Sequence, residues 1–154
     1  MRIRTMKFSK RKTFCQDVLF ENKFLDLPLK VRWFYLCLNY VADDDGFTDC
    51  SVALAGICNC TKKDLKLLAD KGYVILFDSG IVLISHWYVH NKPFRPDRYH
   101  ETVYLREKSL VELDSEKVYR LKNEEGNVPN DRRNNTQYDR NREAPDDGDI
   151  VFRG

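Results

Sequence analysis

Basic side chains that could bind phosphate groups are concentrated in two stretches of the sequence. In the first, Lys62, Lys63 and Lys66 follow a threonine and alternate with apolar residues. On a helix, this spacing puts the lysines at the first turn and on the outer face, the end that a helix-turn-helix presents to the major groove of DNA. Lysines there oppose the helix dipole, which makes sense if phosphates supply the compensating charge. An ordinary solvated helix face has the same pattern, and that alternative stays open.

The second stretch, from His86 to Arg106, mixes basic and aromatic residues. The basic residues are His86, His90, Lys92, Arg95, Arg98 and Arg106, and the aromatic ones are Trp87, Tyr88, Phe94, Tyr99 and Tyr104. Basic groups that hold phosphates beside aromatics that stack on bases suit a single strand. We take Lys92, Arg95 and Arg98 as the candidate contacts. Two alternatives stay open: Trp87 packs in the core, and residues 95–98 form an ion-paired turn.

Other kinds of site have weaker support in the sequence. The three aspartates Asp43–Asp45 lack the ligand spacing of a calcium loop, so we expect a turn or an acidic edge that faces a partner. Cys50, Cys58 and Cys60 lack the paired spacing of a structural zinc site. We find neither a phosphate-binding glycine loop nor a spacing typical of a nucleophile and its base. The sequence therefore predicts no catalysis, metal or cofactor.

A regular series of elements surrounds the candidate residues. The apolar pattern predicts helices over residues 28–42, 50–58 and 61–71, with strands over residues 47–48, 73–77 and 81–84. We expect Asp49 to cap the second helix and Thr61 with Asp64 to form a capping box on the third. Residues 78–80, Asp-Ser-Gly, are a hairpin turn signal. The order predicts an α+β fold, a winged helix-turn-helix with a two-stranded β-hairpin wing.

The first predicted helix carries two apolar stripes. One stripe is Leu29, Trp33, Leu36, Cys37 and Tyr40, and the other is Val31, Phe34, Leu38 and Val41. A helix that is apolar on most of its faces is expected at the centre of a domain. Gly46 is expected to end this helix in the left-handed conformation.

Charge and composition divide the 154 residues into three parts. Residues 1–12 form a basic arm with six cations and no acid, and residues 13–121 form the predicted domain. Residues 122–154 are a polar tail, of which residues 123–154 carry a net charge of −3, and we expect the tail to be disordered. Residues 1–122 together carry a net charge of +5, which the basic arm supplies, and this favours a polyanionic partner. The chain shows neither a membrane-spanning stretch nor a secretory signal, so we expect a cytoplasmic protein with free thiols.

Several blocks of sequence occur together in the order typical of one family. They are Lys23–Leu29, Ala42–Phe47, Asp64–Leu68 with Lys71-Gly72, and His86-Trp87 with Asn91, Arg95, Asp97–Tyr99, Thr102 and Tyr104. Over residues 13–121 the chain resembles the N-terminal domain of phage replisome organizer proteins, and more distantly the DnaD-type primosome proteins. The resemblance implies a winged helix, origin or single-strand binding during replication initiation, and contact with helicase-loading proteins. Longer members continue into a region for helicase loading or oligomerisation, where this chain has its polar tail, so we expect a recognition module.

Three functions follow as hypotheses. The first is a DNA-binding module for phage replication, in which the third helix contacts the duplex while the wing and the basic arm assist. The second is a protein-interaction module or phage-encoded inhibitor of a host factor, acting through the acidic loop and tail. The third is a transcriptional regulator with the same fold. The expected partners are DNA, duplex or single-stranded, and a helicase loader or other replication protein in the host cytoplasm; self-association stays open.

Overall fold

A computed structural model of the chain describes residues 12–91 and 95–122 and shows an α+β arrangement. Most of the basic arm, Lys92, Phe94 and the predicted tail beyond Lys122 lie outside the described residues. The helices are α1 Gln16–Leu19, α2 Asn22–Leu25, α3 Leu29–Val41, α4 Ser51–Ile57, α5 Lys62–Asp70, α6 Trp87–His90 and α7 Leu105–Ser109. The strands are β1 Phe47–Thr48, β2 Val74–Leu76, β3 Val82–Ile84, β4 Val111–Leu113 and β5 Tyr119–Leu121.

The strands form two small antiparallel sheets. The first has the order β1-β3-β2, with Phe47 opposite Leu83 and Val74 opposite Ile84. The second pairs β4 with β5. The six elements predicted over residues 28–84 are all present, and each ends within one residue of its predicted bound.

Helix α3 lies against the core with only one of its two apolar stripes. Val31, Phe34 and Leu38 are fully buried, whereas Leu29, Trp33 and Tyr40 are mostly exposed. The expectation that α3 lies at the centre of the domain is therefore correct for one face and wrong for the other. The physical reason is that α4 and α5 pack on one side of α3, and no described element covers the opposite stripe.

The ends of the helices follow local hydrogen bonding. α5 begins with the predicted capping box, in which the Thr61 backbone N–H donates to Asp64 Oδ2 over 2.7 Å. Asp49 does not cap α4, because the N-cap is Cys50, whose backbone N–H donates to Thr48 Oγ1 over 3.1 Å. Gly46 does not cap α3 either. That helix ends at an extended Ala42, and Gly46 takes its φ of +94° inside the following loop.

The region after β3 adds elements that the sequence did not predict. The backbone of Tyr119 donates to Ser85 O over 2.8 Å and thereby ties the β4–β5 pair to the end of β3. The Tyr119 ring lies 5.6 Å from the Tyr88 ring. Val111, Val118 and Tyr119 are buried, so residues 105–121 extend the core.

Candidate nucleic-acid interface

The first turns of α5 present three exposed lysines, Lys62, Lys63 and Lys66. Lys66 pairs with Asp70 over 2.8 Å, four residues further along the helix. Lys62 and Lys63 take part in no ion pair among the residues that the structure describes. The inner side of α5 packs through Leu68, which is fully buried, and through the half-buried Leu65. The structure thus places the three predicted lysines on one solvent-facing surface.

The acidic residue within this group of lysines is already neutralised. Asp64 accepts a hydrogen bond from Lys30 Nζ over 2.9 Å, in addition to its bonds in the capping box. The bond from Lys30, followed by the one from the Thr61 backbone, lowers the pKa of Asp64. Lys30 therefore offsets the Asp64 charge, and no acidic group in residues 12–91 and 95–122 forms an ion pair with Lys62 or Lys63.

The second group of predicted contacts lies in a tight turn at residues 95–99. The backbone N–H groups of Arg98 and Tyr99 donate to Arg95 O over 2.8 and 3.0 Å, and both arginines are exposed. Arg98 Nε lies 3.9 Å from Asp97, with both side chains at least 70% exposed. Such an exposed pair contributes little, so the turn is set by its backbone bonds rather than by ion pairing. No hydrogen bond or ion pair between described residues joins Arg95 or Arg98 to the lysines of α5.

The aromatic residues of this second stretch do not form a stacking surface among the described residues. Trp87 is fully buried and donates from Nε1 to Asp44 O over 2.9 Å. Tyr99 is partly exposed, but its hydroxyl is bound to Asp45 at 2.9 Å. Tyr88 and Tyr104 are half-buried. Core packing, the alternative for Trp87, is what the structure shows, and the single-strand platform is wrong for this ring.

Two of the three histidines in the stretch, His86 and His90, are unsuited to binding phosphate. His90 is buried, and its Nδ1 accepts a hydrogen bond from the Cys15 backbone N–H over 2.9 Å. In the neutral ring Nε2 therefore carries the hydrogen, which it donates to the Tyr35 hydroxyl 2.7 Å away. Burial, with a smaller effect of His86, lowers the pKa of His90 to about 4, and burial also lowers the pKa of His86. Both rings are neutral near pH 7, and the expectation that they act as cations is wrong.

The buried His90 predicts a stability that falls as the pH is lowered. Its folded-state pKa lies below the unfolded value, so this contribution is fully present above about pH 6.5 and is lost as the pH falls towards 4. Between pH 7 and pH 5 we expect the free energy of unfolding to drop by about 2 kcal/mol from this residue. Urea denaturation of the wild type and His90→Gln at both pH values measures the difference. An equal pH-dependent drop in the variant would contradict the prediction.

The three aspartates Asp43–Asp45 are buried, each at most 3% exposed. Asp43 Oδ1 accepts the backbone N–H groups of Asp45 and Phe47 over 3.0 and 2.9 Å, which makes the predicted turn. Burial raises the pKa of Asp43 in spite of these bonds. The alternative of an acidic edge that faces a partner is wrong, because residues 99–108 of the same chain cover the loop.

Asp45 anchors the segment that follows the exposed arginines. Its carboxylate accepts hydrogen bonds from the Tyr99 hydroxyl, from the Thr102 backbone N–H over 2.8 Å, and from Lys108 Nζ over 3.2 Å. Asp44 Oδ2 accepts the His100 backbone N–H over 3.1 Å. This contact was not anticipated from the sequence. The sequence signal for this contact was the run Asp43–Asp45, together with hydrogen-bond donors some 55 residues later.

Two further groups that the sequence assigned to DNA contact make contacts within the chain. The hydroxyl of Ser79, in the turn between β2 and β3, donates to the buried Glu107 over 2.6 Å. Lys12 donates to Ala42 O over 2.9 Å and lies 4.7 Å from the Trp87 ring centre. Burial lowers the pKa of Lys12 despite the nearby aspartates. The last residue of the basic arm is therefore packed against the acidic loop.

Within residues 12–91 and 95–122, no group of three or more His, Cys, Asp or Glu side chains is arranged to hold a metal ion. In the same part of the chain, none of the helices has the length and apolar character that a membrane span requires. Comparisons with models of protein families, with curated proteins and with solved structures find no match for the chain.

Proposed function

We propose that the chain is a non-catalytic DNA-binding module that grips the phosphate backbone of a duplex through the first turn of α5. One observation carries the proposal: Lys62 and Lys63 stand exposed at a helix N-terminus with no ion-pair partner among the described residues. Cations at this end oppose the helix dipole by a few tenths of a kcal/mol each. A bound phosphate backbone would turn this small loss into a gain, and helix N-termini are favourable positions for phosphate.

The order of elements supports a winged helix-turn-helix as the framework. The run α3-β1-α4-α5-β2-β3, with sheet order β1-β3-β2, makes α5 the third helix. In a helix-turn-helix the N-terminal residues of the recognition helix meet the major groove. In this proposal the turn between β2 and β3 is the wing. Its contribution would come from backbone groups, since Ser79 is bound to Glu107 and Asp78 is acidic.

The resemblance over residues 13–121 supplies the process, which we propose is initiation of phage DNA replication. It also supplies the class of partner, a helicase-loading protein. The alternative of a protein-interaction module loses one of the two surfaces on which it depended, because the acidic loop is buried, while the tail lies outside the described residues. Arg95 and Arg98, together with the predicted Lys92, would add phosphate contacts in the proposed complex, but without base stacking from the buried aromatic rings.

Charge reversal on α5 tests the proposal directly. We expect Lys62→Glu/Lys63→Glu to weaken binding to duplex DNA by about 100-fold or more, because two favourable phosphate contacts become repulsive. Fluorescence anisotropy with a labelled duplex measures the affinity, and a thermal melt checks that the fold is kept. Lys117→Glu/Lys122→Glu is the matched control, since it makes the same change in net charge at exposed positions near β4 and β5.

The matched pair makes the outcome decisive. The control should bind within about threefold of the wild type if α5 is the site. Equal losses in both variants would mean that only the overall charge matters and would contradict the assignment. A milder variant, Lys62→Ala/Lys63→Ala, should lower the slope of log K against log salt concentration by about 2, one for each phosphate contact removed. An unchanged slope would equally contradict the α5 contact.

A further inference from the structure

The outer face of α3 carries several exposed apolar side chains, more than any other helix that the structure describes. Leu29, Trp33 and Tyr40 are 73%, 55% and 62% exposed, and Leu36 between them is half-buried. Single exposed apolar residues are common and need no explanation. Four on one helical face form a contiguous patch, and such patches mark interaction surfaces. The proposed contact of α5 with DNA leaves this face without a role.

The spacing of these residues is that of a helix-pairing seam. The intervals from Leu29 to Trp33, to Leu36 and to Tyr40 are four, three and four residues. This alternation of four and three residues is the spacing of the a and d positions in a heptad repeat, which is typical of helices that pack side by side. The buried residues Val31, Phe34, Tyr35 and Leu38 lie at other positions of the repeat and face the domain's own core. The two stripes of α3 thus serve two different surfaces.

The charges on α3 determine the orientation that a pair of these helices would adopt. The only basic residues of α3 are Lys30 and Arg32, which both lie in its first turn, and the helix contains no acidic residue. Lys30 is already paired with Asp64, so a parallel pair would bring the two Arg32 charges together. An antiparallel pair would place the cations of each helix beside the uncharged C-terminal half of the other, whose free carbonyls attract positive charge.

The exposed area is sufficient for a weak dimer. Large side chains of this kind bury about 150–250 Å² each when fully covered. Three of them, each more than half exposed, offer roughly 400 Å² of surface per protomer, or about 800 Å² in a symmetric pair. This area lies below the roughly 1,200 Å² of stable specific interfaces, and it suits a weak contact that forms at high protein concentration.

We propose that α3 pairs with α3 of a second copy of this chain in an antiparallel, two-fold symmetric contact. In this arrangement Trp33 of one protomer lies beside Leu36 of the other, and Leu29 lies beside Tyr40. A two-fold contact uses the same surface on both protomers and closes at two copies. The occupant of the exposed face is therefore a second copy of the chain. This inference goes beyond the proposed DNA contact and does not depend on it.

Sedimentation equilibrium of the full chain tests the dimer. From about 5 to about 500 µM, we expect the mass to rise from 18.2 kDa towards twice that value. Leu29→Glu/Tyr40→Glu should stay monomeric throughout with an unchanged thermal melt, since both side chains are exposed. Val103→Glu/Leu105→Glu is the matched control, because these residues are 64% and 58% exposed at and just before α7. A wild type that stays monomeric, or a control that dissociates the dimer equally, would overturn the proposal.

Tryptophan fluorescence shows which face is buried. The chain has two tryptophans, and Trp87 is already fully buried, so a change in quenching reports Trp33. Over the same concentrations, quenching by acrylamide should fall in the wild type and stay constant in Trp33→Phe. A doubled mass with unchanged quenching would place the contact elsewhere and overturn the proposal. Lys62→Glu/Lys63→Glu should dimerise normally, so failure of the DNA contact and failure of the dimer are separate results.

Discussion

Replacing Gly46 by alanine is expected to lower the free energy of unfolding by about 3 kcal/mol. Gly46 has φ +94°, which an alanine adopts only with strain of about 1–2 kcal/mol. An added Cβ would also lie 2.7 and 2.8 Å from Cγ and Cβ of Trp87. Trp87 cannot easily move away, because it is fully buried and its Nε1 is hydrogen-bonded to Asp44 O.

Two other glycines separate the backbone effect from the clash. Gly80 has φ +85° with no atom within 4 Å of an added Cβ, so Gly80→Ala should lose only about 1 kcal/mol. Gly56 lies within α4, and an added Cβ there also has open space, so Gly56→Ala should gain about 0.5–1 kcal/mol. Urea denaturation followed by circular dichroism measures all three. A loss at Gly46 no larger than at Gly80 would show that the contact with Trp87 is unimportant.

The sequence was informative where local chemistry decides structure. Helices α3, α4 and α5 follow from apolar spacing, and the start of α5 follows from Thr61 and Asp64, which bond to each other three residues apart. The β2–β3 pair follows from two β-rich runs and a turn that contains Gly80. Each of these signals is contained within about fifteen residues. The exposure of Lys62 and Lys63 was predictable for the same reason, since it depends on the face of one helix.

Long-range contacts could not be predicted in this way. Helix α6, helix α7 and the β4–β5 pair are short, and their position depends on partners such as Ser85 for Tyr119. Composition indicated that residues 86–106 are basic and aromatic, but it does not show which of their side chains are buried. The neutral His90 and the buried Trp87 result from packing against Cys15, Tyr35 and the acidic loop.

The burial of three consecutive aspartates was the largest departure from expectation. Acidic residues in a glycine-containing loop are usually exposed, and burial of a carboxylate is tolerated only where donors surround it. The donors at Asp45 come from Tyr99, Thr102 and Lys108, far along the chain. Only the folded arrangement shows that the loop and this segment form one network.

This network leads to a second large effect, at Asp45. We expect Asp45→Asn to lower the free energy of unfolding by about 2 kcal/mol, because Lys108 loses its buried partner and keeps only its exposed pair with Glu101. The amide has one acceptor oxygen, so its N–H group would face either the Thr102 N–H, which cannot accept, or the Tyr99 hydroxyl, which would have to reorient to accept it. Asp70→Asn, which removes an exposed pair with Lys66, should change stability by less than about 0.5 kcal/mol.

Three measurements distinguish loss of this network from a general weakening of the fold. In a double-mutant cycle with Lys108→Met, the two losses should be less than additive by about 1–2 kcal/mol. Hydrogen exchange should show lost protection at the His100 and Thr102 amides, with α3 and α5 unaffected under native conditions. Fully additive losses, or uniform loss of protection, would contradict the proposed anchoring role. Because Asp45 positions the segment after Arg95 and Arg98 but not α5, Asp45→Asn should weaken DNA binding no more than Arg95→Ala/Arg98→Ala does.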